Sequence, residues 1–193
     1  SVIGNIAPGT LGTAGTLTIA GNLAMASGST FVVDIGAAGD SDRLAIVTAG
    51  PGSGLANIGG RVILSQAPGT MVRSGDVYTI LTAQGGVTGT FSPSSSLSAI
   101  LSSRFIYNPN SVQVQIISSS YASVATTPVQ RAYAALLDRN RGGSSVAPLY
   151  DFLDLQDAAT IGATLESWAP RTETLKSAIG TTAIDNMTRF YRS

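Results

Sequence analysis

Over residues 1–120 the apolar positions recur with period two, in runs of four to seven residues bounded by Gly, Pro, Asn, Asp or Ser. Leu17 and Ile19 alternate with threonines in GTLTIAG, and Phe31, Val33 and Ile35 share one face of STFVVDIG. Val62 and Leu64 do the same in RVILS, as do Val112, Val114 and Ile116 in SVQVQII. The run DVYTIL places Val77, Tyr78, Ile80 and Leu81 in a late strand, with Gly85-Gly86 as the corner after it. Alternation with small turn residues is the grammar of strands, and no helical run interrupts it. The architecture stays open at this level. A sandwich or barrel fits even spacing, and a solenoid fits the loose echoes GTLTIAG/GNLAMASGS and IGGRVILS/GGVTGTFS.

After SSSYAS, read as a linker, the period changes to 3.6 over residues 121–193. Thr127-Pro128 is a cap-then-proline start for VQRAYAALLDRN, which stops at Gly142-Gly143. Pro148 opens LYDFLDL, and Asp157 opens DAATIGATLESW with Ile161, Leu165 and Trp168 at helical spacing. Beyond Pro170, Leu175, Ile179, Ala183, Met187 and Phe190 form one more amphipathic stripe. Its two readings are packing on the strands and a helix that threads a pore.

Charge sharpens this two-part division. Four of the 11 acids and four of the 11 bases lie within residues 1–130, and the rest within residues 131–193; the net charge is zero. No basic face for nucleic acid is visible. Cysteine and histidine are both absent. Their absence removes thiol catalysis, Cys or His metal ligands and the usual neutral-pH general base, so a non-enzyme without cofactor or metal is expected. The chain starts at Ser1 without a basic-then-apolar leader, so a fragment with any signal peptide upstream is expected.

Candidate chemistry is thin. Gly39–Asp42 (GDSD) could be a calcium loop or a serine nucleophile, but the ligand count is short and Ser41 has no histidine, so a turn is expected. GPGSGL at 50–55 lacks the Gly-Lys-Ser/Thr of a phosphate loop. Asp151, Asp154, Asp157 and Glu166 sit at helix starts and polar faces rather than as an acid pair. Tyr150, Phe152 and Trp168 are expected in helix packing.

The order of these pieces resembles the C-terminal passenger (autochaperone) region and helical linker of Gram-negative autotransporters, which are type V secreted proteins. The motif-bearing positions are Tyr78, Ile80, Leu81, Ala83, Gly85, Gly86, Gly89 and Phe91, then Tyr107, Asn108, Asn110 and Val112. The family's downstream barrel is missing, and no Asn-Asn pair supports self-cleavage. The resemblance implies a mainly β fold: the end of a right-handed parallel β-helix with a C-terminal cap, then an α-helical segment. It implies a folding nucleus and cap built on Val77, Tyr78, Ile80, Leu81, Gly85, Gly86, Phe91, Phe105 and Tyr107, and a linker stripe of Leu175, Ile179, Met187 and Phe190. The implied role is to nucleate folding of a secreted passenger and support its passage across the outer membrane to the cell surface. Its partners would be the upstream passenger and the downstream outer-membrane β-barrel, with barrel-assembly machinery and a host surface as further candidates and no nucleic acid. The alternatives are an adhesin surface for cells or glycans, and the stalk of a hydrolase whose active site lies upstream.

Overall fold

The computed structural model describes residues 2–92 and 96–169. Eleven strands form three sheets. The first holds β1 (Asn5–Ile6), β4 (Thr30–Ile35) and β7 (Arg61–Gln66), all parallel. The second holds β3 (Leu23–Ala24), β6 (Leu55–Ile58) and β9 (Gly86–Gly89), again all parallel. The third is mixed. It runs β10-β11-β8-β5-β2, in which β2 (Thr16–Ala20), β5 (Arg43–Val47) and β8 (Val77–Ala83) are parallel. The hairpin of β10 (Leu101–Asn108) and β11 (Ser111–Ser118) then adds antiparallel to β8.

Among the described residues three α-helices follow: α1 (Pro128–Asn140), α2 (Ala147–Leu153) and α3 (Ala158–Ser167). The expected mainly β fold, the end of a right-handed parallel β-helix, is therefore corrected to a mixed α/β arrangement of two parallel sheets, one mixed sheet and three helices. The physical reason is that period two reports which face of a strand is buried, not which strand it pairs with or in which direction.

The strands enclose one core, with Phe31, Val33, Ile35, Leu44, Tyr78, Ile80, Leu81, Val112, Val114 and Ile116 almost fully out of water. β8 shows how the pattern is realised. Alternation puts Tyr78 and Ile80 inward, and the same alternation would then turn Leu81 outward. A bulge prevents this: Leu81 pairs with Val112 and Thr79 with Gln113, so Ile80 has no partner of its own and the inward phase slips by one. Tyr78, Ile80, Leu81 and Ala83 are all buried as a result, and Val77, expected inside, is 39 % exposed.

The sheets meet at corners stacked on glycine. Gly54 N–H donates to Gly21 O at 3.0 Å, and Gly85 N–H donates to Gly54 O at 2.8 Å. A Cβ on Gly85 would lie 2.7 Å from Ser53 O, so the backbones touch where a side chain would stand.

The helices carry a second core of Ile100, Tyr121, Ala134, Leu137, Tyr150, Leu153, Ile161 and Leu165. α1 opens on a capping box: Gln130 N–H donates to Thr127 Oγ1 at 3.1 Å, and Thr127 N–H donates to Gln130 Oε1 at 3.3 Å. Asp157 caps α3 by accepting from Thr160 N–H at 2.7 Å. The segment expected to be a linker is not loose. Tyr121 within it is completely buried and stands at the centre of the helical core.

Candidate functional site

Three of the residues expected to form a nucleus, Phe91, Phe105 and Tyr107, join Phe31 in an aromatic ladder. Rings of Phe31 and Phe91 are 6.2 Å apart, those of Phe91 and Phe105 are 5.9 Å apart, and those of Phe105 and Tyr107 are 6.0 Å apart, all tilted. Such pairs add about 0.5–1.5 kcal/mol each beyond their burial. The ladder ties β4 to the hairpin across the segment after β9. Tyr107 is half-exposed, yet its hydroxyl accepts from Phe91 N–H at 2.9 Å and fixes that segment in place. Burial raises its phenol above the ordinary value.

Tyr78 lies in the same core with no exposure, and its hydroxyl donates to Gly36 O at 2.8 Å. The carboxylate of Asp76 is 3.2 Å from the same oxygen. Burial first, and this charge second, hold the phenol well above its usual range, so it stays a neutral donor. Ile80, Leu81 and Phe91 are buried in the same core, and Gly85-Gly86 form the corner after β8. Leu175, Ile179, Met187 and Phe190 lie outside the described residues.

The remaining candidates have local roles. Ser41 of GDSD forms an antiparallel bridge with Ile35, beside a tight turn in which Gly36 N–H donates to Asp40 O at 2.7 Å. In 50–55, Ser53 Oγ accepts from the Ala49 and Gly50 N–H groups and closes a corner. Each of the four helical acids has a partner. Asp151 accepts from Arg73 at 2.6 and 2.7 Å, and this pairing lowers its pKa. Asp154 accepts from Arg141 at 2.8 and 3.0 Å and from the Tyr121 hydroxyl at 2.6 Å. Asp157 is the cap described above, and Glu166 accepts from the Thr127 hydroxyl at 2.6 Å. Trp168 meets Tyr133 edge-on at 5.6 Å, Tyr150 donates to Leu137 O, and Phe152 is exposed.

Sequence reasoning missed the long-range charge pairs. Arg141 packs over the Tyr121 and Tyr150 rings at 5.0 and 5.3 Å while gripping Asp154, a partly buried network that organises the helical core. Arg73–Asp151 joins the strands to α2 across 78 positions of chain. Only the bulk of aromatic and charged residues in LYDFLD hinted at such a contact. Between these pairs lies a cavity of about 300 Å³. A larger polar groove of about 530 Å³ runs along Gly15, Thr16, Asp40, Ser41, Arg43 and Thr79. Among the described residues no three His, Cys, Asp or Glu side chains are grouped to hold a metal ion, and no helix is long and apolar enough to cross a membrane.

The three sheets differ at their two ends. On the far side, β8 is covered by the hairpin β10–β11. On the near side, β2 pairs with β5 alone, has burial only at Ile19, and leaves Leu17 41 % exposed. Gly21 N–H donates to Val47 O and Arg43 N–H donates to Gly15 O, so parallel alternation aims the N–H groups of Leu17 and Ile19 at β5. Those of Thr16, Thr18 and Ala20 face outward. A Cβ on Gly21 would meet nothing within 4 Å, in contrast with Gly54 and Gly85 beneath it. No family model matches the chain, and no curated protein matches it.

Proposed function

We propose that this chain is a non-enzymatic folding nucleus and end cap for a secreted passenger, displayed at the surface of a Gram-negative cell in the manner of the autotransporters it resembles. One observation carries the reading: the parallel run of the mixed sheet is closed at one end by the antiparallel hairpin β10–β11 and open at the other along β2. An open parallel edge with free N–H and C=O groups is a template for another strand, and a hairpin that reverses direction ends such growth. The aromatic ladder and the bulged β8 lie next to the closed end, where a nucleus would form before the open edge receives more chain. Folding of such a unit outside the membrane would oppose return of the chain through a barrel. At about 0.05–0.15 kcal/mol per residue, it would hold several kcal/mol for this purpose.

The test places a proline at Thr18 in a chain that carries its natural upstream passenger. Thr18 N–H makes no bond to β5, so Thr18→Pro leaves this region folded and blocks the outward template. Circular dichroism of the region alone should be unchanged, and the passenger should lose protease resistance. A passenger that folds normally beside the proline would end the proposal.

A further inference from the structure

The structure's two most buried strand-side carboxylates, Asp34 and Asp42, are 3 % and 1 % exposed. They hold the β1–β2 connection, residues 7–15, against the sheets. Gly12 N–H donates to Asp34 Oδ2 at 2.6 Å, and Gly15 N–H donates to Asp42 Oδ1 at 2.7 Å. Asp42 Oδ2 accepts from Asp34 N–H at 3.0 Å, which couples the two sites. The connection packs closely: a Cβ on Gly9 would be 3.2 Å from Asp42 Oδ1, and one on Gly15 would be 2.6 Å from Gly9 Cα. Among the described residues no arginine or lysine forms an ion pair with either acid, and Asp34 Oδ1 is buried with no hydrogen-bond donor.

We propose that Asp34 and Asp42 form a proton-controlled clasp, in which a proton taken up at Asp42 holds residues 7–15 closed and its loss loosens them. A carboxylate out of water, beside a second carboxylate and without a cation, is harder to ionise, which favours the protonated form of Asp42. Other charges do not offset this. Asp40, in the adjoining turn, adds repulsion at Asp42, and residues 7–15 contain no titratable side chain. Arg43 is exposed along the groove, β7 places Ser65 opposite Asp34, the Tyr78 hydroxyl donates to Gly36 O and contacts Asp76, and the Asp76 carboxylate accepts from Arg73 N–H.

Burial, and then repulsion from Asp34 and Asp40, raise Asp42 above the ordinary 3.8, against the lowering effect of its two backbone bonds. The closed state thus binds the proton more tightly than an open, hydrated one. Its advantage is complete below 3.8 and is lost as pH rises through the closed-state value. Ala14, Gly15 and Thr16 form one wall of the 530 Å³ groove, so release of the clasp changes the groove's shape.

The experiment is a carbon-13 titration of the aspartate carboxyls in the whole chain, with amide exchange followed at Gly12 and Gly15. Asp42 should titrate above 3.8, and the opening equilibrium at Gly15, corrected for intrinsic exchange, should grow by up to about tenfold per pH unit through that midpoint. Asp34→Asn leaves one amide oxygen to accept from Gly12 N–H, removes one charge, and should move the Asp42 midpoint toward 3.8. A midpoint at or below 3.8, an opening equilibrium flat in pH, or an Asp42 midpoint unmoved by Asp34→Asn would each overturn the clasp. The wild-type titration decides the matter alone if the variant does not fold.

Discussion

Phe91→Ala is the sharpest test of the aromatic ladder as a nucleus. The Phe91 ring bridges Phe31 and Phe105, at 6.2 and 5.9 Å, and is 5 % exposed. Its N–H donates to Tyr107 Oη, and that backbone bond survives the substitution. The change therefore removes packing and little else. Truncating a buried Phe to Ala typically costs about 3–5 kcal/mol. Loss of two ring pairs, at about 0.5–1.5 kcal/mol each beyond burial, points to the upper part of that range. Against a typical total of about 5–15 kcal/mol, this is a large fraction of the stability. Urea unfolding followed by far-ultraviolet circular dichroism measures the loss, and stopped-flow refolding assigns it to the folding or the unfolding limb. If the ladder forms early, most of the change falls on the folding rate, with a φ-value above about 0.5. A loss under about 1 kcal/mol would show that the ring is not a bridge. A full loss carried by the unfolding rate alone would keep the packing argument and refute the nucleus.

Three further outcomes follow from the same geometry. Gly85→Ala forces a Cβ to 2.7 Å from Ser53 O, and the overpacking should cost about 1–3 kcal/mol by denaturant titration. Arg141→Ala leaves Asp154 buried with only the Tyr121 hydroxyl, and should cost about 3–5 kcal/mol; Tyr121→Phe, which spares the ion pair, should cost about 1–3 kcal/mol. An inverted order in thermal melts would mean that the hydroxyl, not the ion pair, holds the helical core. Finally, Asp151 and Asp157 have lowered pKa values, the first from its bond to Arg73 and the second from Thr160 N–H. Their contribution is present above 3.8 and is lost as pH falls through the lower folded-state values. Helical signal should therefore weaken at strongly acid pH, and should do so less in Asp157→Asn, whose side chain still accepts from Thr160 N–H.

Period two in STFVVDIG and SVQVQII was enough to place Phe31, Val33, Ile35, Val112, Val114 and Ile116 inside, because side chains on a strand must alternate faces. Thr127-Pro128 and Asp157 were legible as helix starts because capping chemistry is local. What needs two distant segments was not legible. The bulge that buries both Ile80 and Leu81, and exposes Val77, exists only through the register with β11. The reversal that makes one sheet mixed arises where the hairpin turning at Pro109-Asn110 pairs back onto β8, a contact between distant segments.

The charged residues divide in the same way. GDSD read as a turn, and it is one, but nothing local marked Asp42 as the acceptor for Gly15, 27 positions away, or Asp34 as the acceptor for Gly12. Face, cap and turn are set by neighbours along the chain, and the sequence determined them here. Pairing direction, strand phase and the burial of Asp34, Asp42 and Asp154 depend on which surfaces meet and exclude water, and only the tertiary structure decided those.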